Sequence, residues 1–281
     1  MILLKKAADL RKWLESQDKE RNKIGFVPTM GALHPGHISL VEYARKETEI
    51  TVASIFINPT QFNDPKDFKK YPITIEKDID MLEKAGCDVL FLPAIEEIYP
   101  DGAAPKKHYD LGFLETVLEG KYRPGHFQGV CMVVERLLDI VKPGNLYLGQ
   151  KDYQQCMVIA RLVELMKQKI KVSICPTLRE ADGLAMSSRN MRLTAEQRKA
   201  AVTIYHCLSS IKKNIKPGIT NGPELVAIAM LEKAGFKIDY AEIADADNLT
   251  PVNNWNGNQK IVALVAAFLD EIRLIDNMLL N

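Results

Sequence analysis

No Cys-x-x-Cys pair occurs in this 281-residue chain, and its five cysteines, Cys87, Cys131, Cys156, Cys175 and Cys207, are scattered and odd in number. That pattern argues against a disulfide framework or a zinc site and fits a reducing compartment. Long apolar runs are missing too. The longest, Ile261 to Leu269, is far too short to span a bilayer, and Met1 to Lys6 lacks the apolar core of a secretory signal. The chain is therefore expected in the cytoplasm and off the membrane. Neither charge sign dominates: 37 Lys and Arg face 36 Asp and Glu, a net charge of +1. No broad attraction to nucleic acid is expected, so any anion site must be local. The Gly-Lys-Ser/Thr of a P-loop and the Gly-x-Gly-x-x-Gly of a dinucleotide fold are both absent.

What is present is organised around Pro28-Thr29-Met30-Gly31-Ala32-Leu33-His34-Pro35-Gly36-His37. An apolar run, Ile24 to Val27, precedes it and reads as a buried strand. Ile38, Leu40, Val41 and Ala44 follow at helical spacing. A strand, a turn of small residues and a helix N-terminus together present N–H groups and positive dipole to an anion. His34 and His37 lie one helical turn apart on one side, and Gly31 and Gly36 leave room for a nucleotide against the backbone. Two imidazoles without a P-loop lysine suggest attack at an α-phosphate. A tight βα turn whose histidines cap or pack is the competing reading.

Ala7 to Ser16 reads as a helix. Ile50 to Ile57 reads as a fully buried parallel strand that runs into Asn58-Pro59-Thr60-Gln61, where amides stand at a strand C-terminus. Asn58 before Pro59 reads equally as turn chemistry. Loops are expected over 67–72 and 100–107, a helix over 75–85 and a strand at Val89 to Leu92. Gly120 to Gly129 is either a second ligand loop or a helix entry, and Val130 to Val141 is an apolar helix. After a strand at Asn145 to Leu148, Gly149-Gln150-Lys151-Asp152 opens another helix. Lys151 there can neutralise phosphate, and Asp152 can accept a ribose hydroxyl or cap the helix. The alternation from about residue 24 to 175 argues for a doubly wound parallel sheet. From about residue 177 the character changes. A polar loop bears Met186-Ser187-Ser188-Arg189, and Thr194 to Gln197 forms a capping box that starts a helix to about Lys213. A helix over Pro223 to Ala234 and strands at 236–243, 260–269 and 272–275 complete a smaller α+β domain.

The His-x-Gly-His turn and the Met-Ser-Ser-Arg-Asn loop resemble the nucleotidyltransferase superfamily that includes class I aminoacyl-tRNA synthetases. Phe56 to Phe62, Arg123 to Phe127, Gly149 to Gln155 and Arg273-Leu274-Ile275-Asp276-Asn277 bring the resemblance closer, to the pantoate–β-alanine ligase family. The resemblance implies a Rossmann-like N-terminal domain over 1–176 and a lid domain over 177–281. It implies ATP and (R)-pantoate forming a pantoyl adenylate, which β-alanine converts to pantothenate and AMP, with Mg²⁺, in a cytoplasmic homodimer. Met30, Gly31, Ala32, Leu33, His34, Pro35, Gly36 and His37 would line the ATP site, with His37 as proton donor. Gly149, Gln150, Lys151 and Asp152 would bind ATP, the backbone at Leu178 would meet adenine, and Met186, Ser187, Ser188 and Arg189 would close on the triphosphate. Gln61 would hold pantoate and then β-alanine, and Gln155 would bind pantoate; Asn58 is a third neutral amide suited to orienting such an acid. Independently, Lys151, Arg189, His34 and His37 supply the positive charge that carboxylate attack on a phosphate requires. No nucleophile paired with a base is evident, which fits a mixed anhydride.

Overall fold

The computed structural model describes residues 1–17, 20–63, 68–105 and 107–281. The loops expected over 67–72 and 100–107 fall partly outside the described residues, at Asp67 and Lys106. The chain divides into two compact units. The first is Met1–Gly149 with Gln155–Pro176, and the second is Gln150–Gln154 with Thr177–Asn281.

The first unit is built on six strands: β1 (Ile2–Leu4), β2 (Ile24–Thr29), β3 (Ile50–Ile55), β4 (Val89–Phe91), β5 (Asn145–Gly149) and β6 (Lys171–Cys175). They form one sheet in the order β1-β4-β3-β2-β5-β6, and every neighbouring pair is parallel. Because side chains alternate across a strand, the apolar runs of the sequence divide between two cores. Phe26, Val52, Phe91, Leu146 and Leu148 face the helices Ala7–Ser16 and His126–Val141. Val27, Ala53, Leu90 and Tyr147 face the helices Pro35–Glu47 and Ile75–Lys84. Burial on both faces, about 1.5–3 kcal/mol for each large apolar side chain, is what a continuous apolar strand provides and an alternating one cannot.

The second unit carries an antiparallel sheet of Lys237–Asp245, Ile261–Leu269 and Ile272–Leu279, which follow β7 (Gly218–Ile219) and are β8, β10 and β11, with β9 at Asn254–Trp255. The helices Thr203–Asn214 and Asn221–Lys233 share its core through Leu208, Ile211, Ala227 and Leu231.

Three local expectations are corrected. The sheet begins at β1, not near residue 24; a three-residue edge strand is too short to show periodicity. The helix expected from Thr194 to Lys213 is two, Ala195–Ala201 and Thr203–Asn214. Its backbone stays right-handed at Val202 (φ −62, ψ −21), so the interruption is one residue long. The last strand runs on to Leu279, because Asp276 and Asn277, buried and polar, pair internally instead of ending it. The capping box does form: Gln197 N–H donates to Thr194 Oγ1 (3.2 Å) and Thr194 N–H to Gln197 Oε1 (2.9 Å).

Candidate active site

Strand order reverses direction between β2, which leads to β3, and β5, which leads to β6. Ligands of open α/β sheets bind outside the strand C-termini at such a switch point. Met30 to His34 leave β2 there, and Gly149 ends β5 there. A Cβ on Gly149 would meet nothing within 4 Å, so the backbone is open to close approach.

The loop after β2 is held from an unexpected side. Asp78, fully buried in the Ile75–Lys84 helix, accepts the backbone N–H of Ala32 (2.9 Å) and Leu33 (2.8 Å) and the hydroxyl of Thr74 (2.9 Å). Gly31 has φ +80 and Ala32 φ +48, a left-handed stretch that an alanine adopts only where its surroundings hold it. A Cβ on Gly31 would sit 3.1 Å from Asp78 Oδ2, so this glycine is needed by the carboxylate. Two loop amides expected to face an anion therefore serve Asp78.

The helix begins at Pro35, with His34 as its N-cap. The two imidazole centroids lie 4.0 Å apart. His34 N–H points to His37 Nδ1 at 3.4 Å, a long contact that makes Nδ1 the acceptor and leaves Nε2 to carry the donor proton. Both residues are half-buried.

Asn58 is 1% exposed, and its amide is committed within the protein. Oδ1 accepts from Tyr99 Oη (2.7 Å) and Thr60 N–H (3.3 Å), while Nδ2 donates to Gly129 O (3.1 Å) and Gln61 Oε1 (3.2 Å). It orients Gln61, whose Nε2 lies 2.8 Å from Met30 Sδ. His126 Nδ1 sits 2.8 Å from Gln61 O, so the Gly120–Gly129 segment, which leads into the helix His126–Val141, braces this turn. A Cβ on Gly129 would lie 2.2 Å from Thr60 O. Gln155 is half-buried in the first unit. A cavity of about 580 Å³ in this unit, bordered by Ile98, Tyr99, Pro105 and Met132, is lined by none of the residues expected at the site.

The second unit holds the other half of the expected set. Gln150 to Asp152 form a 3₁₀ turn; Lys151 Nζ is 3.8 Å from Asp152 Oδ2. Leu178 O accepts Met186 N–H (3.1 Å), and Arg179 pairs with Ala185, so residues 178–186 form a hairpin that delivers Ser187 to Arg189. Ser187 Oγ accepts Arg189 N–H (3.3 Å), which leaves its own proton to donate. Ser188 is buried. Beneath them Arg179 forks onto Asp276, at 2.6 and 3.0 Å. Burial pushes the Asp276 carboxyl up against the opposing pull of Arg179, the Asn277 N–H and Lys151.

The pantoate-beta-alanine ligase family profile matches residues 2–279. The chain belongs to this family. Pantoate–β-alanine ligases are enzymes, and relatives span the chain end to end. Pantothenate synthetase of Cytophaga hutchinsonii is 44% identical over 100% of this chain and 99% of its own. The crystal structure of pantothenate synthetase from Thermus thermophilus superposes with a TM-score of 0.87 at 40% identity, covering 100% of this chain and 99% of that one. The ligase from Francisella tularensis, solved with beta-gamma ATP and β-alanine, gives 0.83 at 38% identity, covering 100% and 98%. Asp78, Gly129, Arg179 and Asn277 position the family's motifs here without having been singled out as site residues. A lone Asp in an amphipathic helix and a Gly in an apolar one carry no spacing signal.

Proposed function

We propose that this ligase joins (R)-pantoate to β-alanine through an enzyme-bound pantoyl adenylate. A pantoate carboxylate oxygen attacks the α-phosphorus of ATP, the bond from that phosphorus to the β-phosphate oxygen breaks, and diphosphate leaves. The β-alanine nitrogen then attacks the acyl carbon, the acyl–oxygen bond to AMP breaks, and the nitrogen gives up a proton. The reading is carried by one arrangement: the Met30–His34 loop at the switch point of the sheet, opening into a helix with His34 as its N-cap and His37 in its first turn. His37, with its donor at Nε2, and His34 would meet the oxygens on which charge develops. Lys151, Arg189 and the hydroxyls of Ser187 and Ser188 would spread charge over the triphosphate; Met30 to Gly36, Gly149, Gln150, Asp152, Leu178 and Met186 would line the nucleotide. Gln61 and Gln155 would orient pantoate, with Asn58 acting through Gln61. The second unit would serve as the lid that keeps water from the adenylate.

Mg²⁺ would enter with ATP. Among the described residues no cluster of three His, Cys, Asp or Glu could cage a metal, and Mg²⁺ ordinarily keeps waters and phosphate oxygens with one or two carboxylates. Lys151 and Arg189 would share the neutralisation of the same oxygens. The reading also includes a cytoplasmic homodimer, for which light scattering should give twice 31.6 kDa. Among the described residues no helix is long and apolar enough to cross a membrane.

ATP–diphosphate exchange tests the reaction. It should require pantoate, and net AMP formation should require β-alanine as well; ADP and phosphate as products would overturn it.

A further inference from the structure

Two segments of the second unit that are far apart in sequence share one buried support. Asn277, 2% exposed, donates from Nδ2 to Gln150 O (2.9 Å) and Lys151 O (2.8 Å), and its Oδ1 accepts from Gln150 Nε2 (3.2 Å). A single side-chain amide thus grips the backbone carbonyls on both sides of Lys151. Its neighbour Asp276 takes both arms of Arg179. Arg179 also donates to Gly183 O (3.1 Å) and Asn277 O (3.2 Å), and it lies over the Tyr205 ring with its carbon 5.1 Å from the centroid. Gly183, at φ +94, is the turn of the hairpin, and a Cβ there would strike Tyr205 at 2.1 Å. Neither Arg179, Asp276 nor Asn277 is placed on substrate.

We propose that Asn277, braced by the Arg179–Asp276 pair, is a positioning residue that locks the Lys151 turn to the hairpin carrying Ser187 to Arg189, so that the cationic groups for the triphosphate act as one preset unit. This deepens the proposed function and rests on it. A bidentate Arg–carboxylate pair is directional as well as strong, and hence suited to fixing the register between strand β11 and a loop. An amide that satisfies two carbonyls at once cannot be replaced by an acid, which would aim lone pairs at lone pairs. The grip on the Lys151 turn should therefore affect ATP and leave pantoate, whose proposed contacts Gln61 and Gln155 belong to the first unit, untouched.

Asn277→Asp tests this in the full-length enzyme. Its KM for ATP should rise about tenfold, the equivalent of one or two lost hydrogen bonds, while the KM values for pantoate and β-alanine stay within about twofold and the thermal melt stays cooperative. A purely structural role would instead lower kcat only in proportion to the loss of folded protein, with every KM unchanged. That result, or an ATP KM within twofold of the original protein, would overturn the proposal. If Asn277→Asp gives no cooperative melt, Asn277→Ala, which introduces no charge, carries the same test. Calorimetric binding of ATP alone should weaken by the same factor; unchanged ATP binding overturns the proposal. If the unaltered protein bound ATP but showed no pantoate-dependent exchange, the proposed function would fail while the ATP-binding comparison still decided this one.

Discussion

The Asp78 carboxylate receives the backbone amides of Ala32 and Leu33, at 2.9 and 2.8 Å. A carboxylate on one helix thereby shapes the loop that introduces the His34 and His37 helix, and the left-handed backbone at Gly31 and Ala32 depends on it. Asp78→Ala strands two buried amides, each costing about 1–3 kcal/mol. A loss of about 3 kcal/mol in denaturant unfolding and a marked fall in the exchange rate are expected. A fully stable and active variant would remove Asp78 from this role.

Gly129→Ala sets two effects against each other. Alanine favours a helix over glycine by about 1 kcal/mol, but its methyl would lie 2.2 Å from Thr60 O, closer than any relaxed contact. The clash should win and push the turn of Asn58 to Gln61 away. The KM for pantoate should rise on the order of tenfold or more, with ATP affinity preserved; steady-state kinetics with each substrate varied in turn will show it.

His37→Ala and Lys151→Ala should each slow adenylation by about 10², the usual size for one charge-stabilising group. Rapid-quench measurement of pantoyl adenylate reads that step directly. An unaltered burst from either variant would contradict its assignment.

Five free cysteines are buried. Burial pushes Cys87 from the ordinary 9.0 up to about 11, and Cys131 up to about 12. The folded protein therefore holds these protons more tightly than the unfolded chain. The contribution is constant below the unfolded value of 9.0, and stability falls as pH rises from there through the folded values. Urea midpoints at pH 8 and pH 10 should show that decline, and thiol reagents at pH 8 should react only on unfolding.

Much of this architecture could be read from residue order, because strands buried on both faces leave apolar runs, as at Val89 to Phe91. The motifs proposed to face phosphate were readable for a similar reason: small residues, histidines and a lysine recur at strand ends. The supports were not. Asp78 resembles any polar residue on an amphipathic helix until its burial is known, and Asp276-Asn277 looks like a strand terminator until Arg179 is found beside it. Asn58 shows the converse. Its place after a strand admits a ligand contact as well as turn chemistry, yet its amide is occupied by Tyr99, Thr60, Gly129 and Gln61. A side chain's partners across 41 or 71 positions leave no local trace.

Gln150–Gln154 group with the C-terminal residues although first-unit sequence flanks them on both sides. The polypeptide is thus interleaved, and no single cut separates its halves. A fragment starting at Thr177 would leave Asn277 with a vacant amide where Gln150 and Lys151 had been, and whoever builds a stand-alone version must graft those five residues back.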